Sequence, residues 1–265
     1  MKKYEFTGET KTIDDGTVLH RIRAVRDFTT RDGTEVRTGD LGGWVEDEGN
    51  LAQAGKAWVA DEAQVYGRAR IYGFACVSDH AWVHGSAQVN CDARVYGCAQ
   101  VYGHACVGGK AWVGGSACVY DEARVGDLAG VFGRAQVYDS ACVLDEAQVF
   151  GSAQVYGRAR VEGWACVSDE ARVCGSARVL DEVRVEGLAG VYDEARVGDS
   201  ARISGQAHVY GNARVGGSAH VYGNARVCGS ACVLGNARVG DSARVFGRAQ
   251  VEGTTAVLGE TEITE

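Results

Sequence analysis

Residues 57–74 read AWVADE, AQVYGR and ARIYGF, three six-residue units that share one pattern. Each unit begins with alanine, has valine or isoleucine two residues later, and has aspartate or glycine two residues after that. The register continues from Ala57 to Ile263 without a slip, and Val183 is the one departure from alanine before Thr255. A fixed short period of this kind is the sequence signature of a solenoid.

The pattern has a direct physical interpretation. Alanine and valine lie two residues apart, so in a strand they share one face, and we expect that face to point inward. Corner positions such as Asp61 and Gly67 suit a turn with positive φ, which glycine adopts freely and aspartate tolerates. A four-residue strand and a two-residue corner make one flat side, and three sides make an 18-residue coil. The sequence therefore predicts an all-β, triangular parallel β-helix with about 11–12 coils.

Three regions are predicted along the chain. Residues 1–40 break the period and alternate apolar with polar residues, and Asp14–Gly16 is typical of a hairpin turn, so this region is interpreted as an N-terminal β-hairpin cap. Residues 41–56 form a junction and a first irregular coil, and residues 57–265 form the repeat.

The composition excludes several classes of protein. Hydrophobic residues make up 46% of the 265 residues, which excludes a disordered chain. The chain has no apolar stretch long enough for a membrane span, and no apolar run follows the lysines of Met1–Phe6, so no signal peptide is expected. A net charge of −8 does not favour electrostatic binding of nucleic acid.

Two resemblances add to this interpretation. The repeat Val-x-Gly-x-Ala-x resembles the hexapeptide repeat of left-handed parallel β-helix proteins, and this resemblance implies left-handed coiling. The junction Gly39–Val45, followed by Gly49–Leu51 and Ala57–Val59, is similar to the start of YdcK-like β-solenoid proteins of bacteria and phages. The YdcK-like resemblance supplies no catalytic residue set.

Enzymatic activity is one alternative. Hexapeptide acyltransferases use a histidine general base, a loop that protrudes from the solenoid and a C-terminal extension. The unbroken register leaves no room for such a loop, and the chain stops two residues after Ile263. The repeat histidines occupy variable outward or corner positions and are interpreted as surface residues: His80, His84, His104, His208 and His220. The spacing of His80, His84 and His104 is not diagnostic of zinc, so neither a metal nor another cofactor is expected.

The ten cysteines indicate the redox setting. No two of them are 18 residues apart, so disulfides along one column of the coil are not available, and there is no Cys-x-x-Cys motif. We therefore expect free thiols, no disulfides and a cytoplasmic location.

Stacking at 18 residues brings tyrosines into one outward column. We call the three sides by their inward residues: the first face contains Val59, the second Val65 and the third Ile71. On the second face, the residue after each valine is often tyrosine, and these residues form the tyrosine ladder: Tyr66, Tyr102, Tyr120, Tyr138, Tyr156, Tyr192 and Tyr210. Tyrosine suits strands and stacks on its neighbours, so the ladder is explained by structure alone. The functional alternative is an aromatic strip that docks a partner.

A second column carries positive charge. On the third face, the residue before the inward valine is arginine in four successive coils. These residues form the arginine strip: Arg160, Arg178, Arg196 and Arg214. Corner carboxylates such as Glu146, Glu182 and Asp199 are expected to offset this charge. The alternative is a strip that binds an anionic partner.

The sequence favours a non-enzymatic β-solenoid scaffold or protein-binding module that self-associates through the tyrosine ladder or binds another protein. A hexapeptide-repeat acyltransferase or a degenerate relative is the first alternative, and a phage-encoded sequestering or inhibitory binder is the second. No membrane partner is expected.

Overall fold

The computed structural model describes residues 2–31 and 33–265, which form two compact units. Unit 1 extends to Gly133 and unit 2 is Arg134–Glu265. The described residues form strands and turns and contain no helix. In each unit, parallel coils of about 18 residues stack on one another, which confirms the predicted all-β solenoid. The handedness and the domain boundaries stay predictions.

Unit 1 opens with five strands outside the regular coils: β1 (Tyr4–Thr12), β2 (Val18–Ala24), β3 (Phe28–Thr29), β4 (Glu35–Val36) and β5 (Leu41–Val45). Strands β1 and β2 form an antiparallel hairpin, and their turn is closed by the Ile13 N–H, which donates to the Thr17 carbonyl at 3.0 Å. The predicted turn at Asp14–Gly16 lies there, with Gly16 at φ 88°. Strand β5 pairs antiparallel with β2 and parallel with the first regular coil, so it joins the cap to the solenoid.

The regular strands of unit 1 form three parallel ladders. The second face has β7 (Gln64–Val65), β10 (Trp82–Val83), β13 (Gln100–Val101) and β16 (Cys118–Val119). The third face has β8 (Arg70–Ile71), β11 (Gln88–Val89), β14 (Cys106–Val107) and β17 (Arg124–Val125). The first face has β6 (Trp58–Val59), β9 (Cys76–Val77), β12 (Arg94–Val95), β15 (Trp112–Val113) and β18 (Gly130–Val131).

Unit 2 repeats this arrangement. Its second face has β19 (Gln136–Val137), β22 (Gln154–Val155), β25 (Arg172–Val173), β28 (Gly190–Val191), β31 (His208–Val209), β34 (Arg226–Val227), β37 (Arg244–Val245) and β40 (Glu262–Ile263). Its third face has β20 (Cys142–Val143), β23 (Arg160–Val161), β26 (Arg178–Val179), β29 (Arg196–Val197), β32 (Arg214–Val215), β35 (Cys232–Val233) and β38 (Gln250–Val251). Its first face has β21 (Gln148–Val149), β24 (Cys166–Val167), β27 (Arg184–Val185), β30 (Arg202–Ile203), β33 (His220–Val221), β36 (Arg238–Val239) and β39 (Ala256–Val257).

Each regular strand is shorter than the four residues predicted. Only the inward valine or isoleucine and the residue before it pair in the ladder, as Trp82 and Val83 do with Gln100 and Val101. The alanine that precedes them belongs to the corner instead, because the Ala81 N–H turns back to the Ser78 carbonyl at 3.2 Å. The inward direction of alanine and valine is nevertheless as predicted, since Ala153 and Val155 are both fully buried.

Corner residues adopt the predicted left-handed conformation. Gly67 has φ 65° and Asp193 has φ 57°, and the described non-glycine residues with positive φ are corner aspartates together with Cys91. The aspartates also bond between coils, which the sequence did not indicate. Asp193 Oδ2 accepts the N–H of Gly211, the same corner one coil later, at 3.0 Å. Glycine offers no acceptor there, so a corner aspartate satisfies a backbone N–H that a corner glycine cannot.

The cap supplies hydrogen-bond donors to the first coil. In the regular coils, an inward alanine carbonyl accepts an N–H from the preceding coil, as Ala99 accepts from Trp82 at 2.9 Å. At Ala57 the donor is Lys3 Nζ, at 2.6 Å, and Lys3 Nζ also bonds to the Ala52 carbonyl at 2.7 Å. Lys3 is fully buried, and this burial lowers the pKa of its ammonium group to about 8.

Asn50, in the junction, also donates hydrogen bonds to backbone carbonyls of the first coil. It is 1% exposed, and its Nδ2 donates to the carbonyls of Gly67 and Ala69, both at 3.0 Å. The Lys3 and Asn50 side chains thus replace backbone donors that a preceding coil supplies elsewhere in the solenoid.

Candidate binding faces

The tyrosine ladder of unit 1 is a continuous stack of four rings. Tyr66 stacks on His84 with centroids 4.9 Å apart, His84 on Tyr102 at 5.0 Å, and Tyr102 on Tyr120 at 4.9 Å. Each pair is parallel within 4°, and these distances are typical of offset stacking. Neighbouring rings cover one another's faces, so the half-buried side chains present their ring edges and hydroxyl groups to solvent.

In unit 2 the ladder is interrupted. Tyr138 and Tyr156 stack at 4.9 Å and 2°, but Cys174 occupies the next position of the column. Tyr156 donates a hydrogen bond to Cys174, which together with burial raises the pKa of the Tyr156 hydroxyl to about 12. Tyr192 stacks instead on His208, at 5.6 Å and 26°. Tyr210 bonds to Cys228, and this bond is the main reason that the Tyr210 pKa is raised.

Stacking also shifts the ionisation of the rings in unit 1. Burial raises the pKa of Tyr66 and Tyr102 and lowers the pKa of His84. Asp15, in the turn of the cap hairpin, acts on His84 in the opposite direction, by attraction of the imidazolium. The uncharged form of each ring is therefore favoured by the fold, and at neutral pH the ladder is an uncharged aromatic surface.

The arginine strip lies in register along the third face of unit 2. Arg178 pairs with Arg160 on one side and with Arg196 on the other, and Arg196 pairs with Arg214. Arg160 forms an ion pair with Glu162, its Nη2 lying 2.5 Å from Oε1. The other three arginines form no ion pair with any described residue and are exposed.

Glu146, Glu182 and Asp199 form no ion pair with the arginine strip among the described residues, and the expectation that they offset its charge stays a prediction. Asp199 Oδ2 accepts the N–H of Gly217 at 2.7 Å, and Glu182 Oε2 accepts the Ser200 hydroxyl at 3.4 Å. Corner carboxylates face the neighbouring corner along the stack, because an unpaired backbone N–H lies there. Among the described residues, the carboxylate that forms an ion pair with the strip is Glu162, on the same face two residues after Arg160.

Three of the repeat histidines lie at separate positions of the coils. His84 lies inside the ladder, His208 stacks on Tyr192, and His220 lies 3.4 Å from the Ser204 hydroxyl. The described residues contain no group of three or more His, Cys, Asp or Glu side chains placed to hold a metal ion. None of them belongs to a helix long and apolar enough to cross a membrane.

The sequence reasoning missed the contributions of Lys3 and Asn50. Both are polar residues at positions where the six-residue period is absent, so the period carried no signal for them. A lysine directly before the first apolar residue of a strand, Tyr4, is a weak indication of burial. Only the hydrogen bonds to Ala52, Ala57, Gly67 and Ala69 reveal their function.

Comparison with protein families agrees with this architecture. The YdcK Beta solenoid repeat family matches residues 153–169 and 201–223, which lie in the coils of unit 2. These two segments are similar to the repeats of that family. In the matched YdcK segments, Ala153–Val155 and Ala201–Ile203 supply the inward residues that build the coil core. No curated protein matches the sequence.

Proposed function

We propose that this chain is a non-enzymatic β-solenoid scaffold that self-associates through the tyrosine ladder of unit 1, made of Tyr66, His84, Tyr102 and Tyr120. The observation that carries the proposal is the stack itself: four parallel rings at 4.9–5.0 Å on one flat sheet face. Each ring is held in place by its neighbours, so little further side-chain entropy is lost when a partner binds. This preorganisation favours the use of the rings as a contact surface.

The chemistry of the ladder fits a second copy of itself. Because neighbouring rings cover one another's faces, two such rows meet through their ring edges and hydroxyl groups, and reciprocal hydroxyl hydrogen bonds can join them. A straight row can lie antiparallel on an identical row about a two-fold axis, which gives a closed dimer. A tyrosine hydroxyl with the ordinary pKa of 10.0 is protonated at neutral pH, and burial raises the pKa of Tyr66 and Tyr102 further, so both hydroxyl groups can donate. The proposal assigns no catalytic residue.

The experiment compares the molecular mass by light scattering of the wild type, Tyr102→Ser/Tyr120→Ser, and Tyr72→Ser. Tyr72 is 39% exposed on the third face of unit 1 and serves as the matched control. A dimeric wild type, a monomeric double variant with an unchanged circular dichroism spectrum, and a dimeric control support the proposal. A monomeric wild type, or a double variant that remains dimeric, overturns self-association through the ladder.

A further inference from the structure

Unit 2 exposes a tryptophan at a corner where most coils carry a small or polar residue. Trp164 is 61% exposed and follows Gly163, whose φ of 73° forms the corner between the third and first faces. The equivalent corner positions of the neighbouring coils are Glu146 and Glu182, each 18 residues away. An indole left in water at this position makes no contribution to the buried core, so the stability of the coil does not explain it.

A pocket of about 370 Å³ beside the indole is lined by Asp145, Glu146, Gly163, Trp164, Asp181 and Glu182. The two aspartates use one oxygen each for the stack: Asp145 Oδ2 accepts the Gly163 N–H at 3.0 Å, and Asp181 Oδ2 accepts the Asp199 N–H at 3.1 Å. Glu146 and Glu182 form no ion pair with any described residue, and Glu182 Oε2 accepts the Ser200 hydroxyl at 3.4 Å, which leaves Oε1 for a ligand. The pocket thus combines an exposed aromatic surface with carboxylates from the coils on both sides.

A second pocket, of 460 Å³, is lined by Trp164, Glu182, Arg184, Ser200, Ala201 and Arg202. Arg184 forms no ion pair within the described chain, and Arg202 Nε lies 3.8 Å from Glu186. Trp164 and Glu182 line both pockets. The first, which has four carboxylates and no arginine, is the acidic pocket, and the second, which contains Arg184 and Arg202, is the basic pocket.

We propose that the acidic pocket binds the guanidinium group of an arginine side chain in a flexible segment of a partner protein. A guanidinium stacks on an indole face through cation–π attraction, and it donates hydrogen bonds in its own plane. Glu146 and Glu182 lie one coil to either side of the indole, where they can accept these bonds. Lysine fits less well, because an ammonium group cannot stack and bond in one plane at the same time.

The basic pocket gives the segment a direction. Arg184 and Arg202 repel a second cation, so the residue of the partner that crosses the indole toward the first face is neutral or acidic. This site is at a corner, away from the second face that carries the tyrosine ladder, and it does not depend on self-association.

The test measures binding of a fluorescein-labelled peptide, Gly-Gly-Arg-Gly-Gly-Arg-Gly-Gly, by fluorescence anisotropy at low salt. The variants are Trp164→Ala and Glu146→Gln/Glu182→Gln. The control is Glu170→Gln/Glu194→Gln, which removes the same charge from exposed corners elsewhere in unit 2. All positions are exposed, so the melting temperature is expected to stay unchanged, and it is measured for each variant.

We expect Trp164→Ala to weaken binding about fivefold, by loss of the cation–π contact. We expect Glu146→Gln/Glu182→Gln to weaken it about five- to tenfold, and the control to change it less than about twofold. A lysine peptide of the same length binds more weakly than the arginine peptide. The proposal is overturned if the arginine peptide does not bind, if Trp164→Ala binds as the wild type does, or if the control loses as much affinity as the glutamate variant.

Discussion

A corner residue such as Asp193 meets two separate requirements: a backbone conformation with positive φ, and a hydrogen-bond acceptor for a backbone N–H of the next coil. Asp193 holds φ 57°, which disfavours most side chains, and its Oδ2 accepts the Gly211 N–H at 3.0 Å. Glycine meets the first demand alone, whereas aspartate and asparagine meet both, since each has a side-chain oxygen at the same position. The sequence has aspartate at some corners and glycine at others, and substitution at Asp193 separates the two contributions.

We expect Asp193→Ala to lower the free energy of unfolding by about 1–3 kcal/mol, because alanine strains the left-handed corner and removes the acceptor. Asp193→Asn keeps both features, so a loss of less than about 1 kcal/mol is expected. Asp193→Gly is expected to lie between them, since it loses only the acceptor. Urea denaturation followed by circular dichroism measures all three. Equal stability of the alanine and asparagine variants would contradict both functions of the corner aspartate.

At the scale of elements, the cap depends on one of two adjacent lysines. Lys3 is buried and donates to the carbonyls of Ala52 and Ala57. Lys2 is exposed and forms an ion pair with Glu48 at 2.6 Å. Substitution of Lys3 or of Lys2 by methionine removes one positive charge from neighbouring positions, so the two variants form a matched pair.

We expect Lys3→Met to lower the free energy of unfolding by about 2–4 kcal/mol, since two buried carbonyls lose a charged donor. Lys2→Met is expected to cost less than about 1 kcal/mol, as exposed ion pairs contribute little. Amide hydrogen exchange adds a local measurement, with loss of protection in residues 52–57 expected for Lys3→Met. If the two variants are equally stable, the cap does not depend on the buried ammonium group.

The ladder of unit 1 makes stability depend on pH through His84. Its folded pKa is lowered from the ordinary 6.5, mainly by burial between Tyr66 and Tyr102. The unfolded chain therefore binds the proton more tightly, and stability is lost as the pH falls from above 6.5 through the lower folded pKa. Burial acts in the same direction on His208 and His220, so these residues contribute to the same loss.

We expect the wild type to have a higher free energy of unfolding at pH 7.5 than at pH 5.5, and His84→Gln to show a smaller difference between the two. His80→Gln, at an exposed corner of unit 1, is the control and should keep the difference seen in the wild type. Urea midpoints at the two pH values measure this. A His84→Gln protein with the full pH dependence would show that the stacked imidazole does not contribute to it.

At the scale of the whole molecule, the cysteines form a set of ten free thiols. Cys91 and Cys98 are exposed, and the other eight are half-buried on the outward surface of the coils. Burial raises the pKa of the Cys118, Cys166 and Cys174 thiols, which lowers the reactive thiolate fraction at pH 8.

We therefore expect two thiols of the native protein to react rapidly with a thiol reagent at pH 8 and the remainder to react slowly. All ten are expected to react in denaturant without added reductant. Fewer than about eight reactive thiols in denaturant would indicate disulfides, and with them an oxidising rather than a cytoplasmic setting.

The sequence by itself determined the coil. The six-residue period places Ala153 and Val155 on one side of the backbone and requires a left-handed residue at corners such as Asp193, and both follow from local geometry. Because one coil contains three such periods, the column of every outward residue could also be predicted, including the order of Tyr66, His84, Tyr102 and Tyr120.

Only the tertiary structure decided which stacking, ion-pair and hydrogen-bond partners the outward side chains have. Tyr192 turns from its column to His208, Arg160 pairs with Glu162, and corner carboxylates bond along the stack rather than to the arginine strip. Lys3 and Asn50 form hydrogen bonds with residues remote in sequence. Both lie before the six-residue repeat begins, so the repeat does not predict these bonds. The physical reason is that a repeat fixes the backbone register, whereas each flexible side chain has several partners within reach and adopts the rotamer that satisfies the nearest unpaired group.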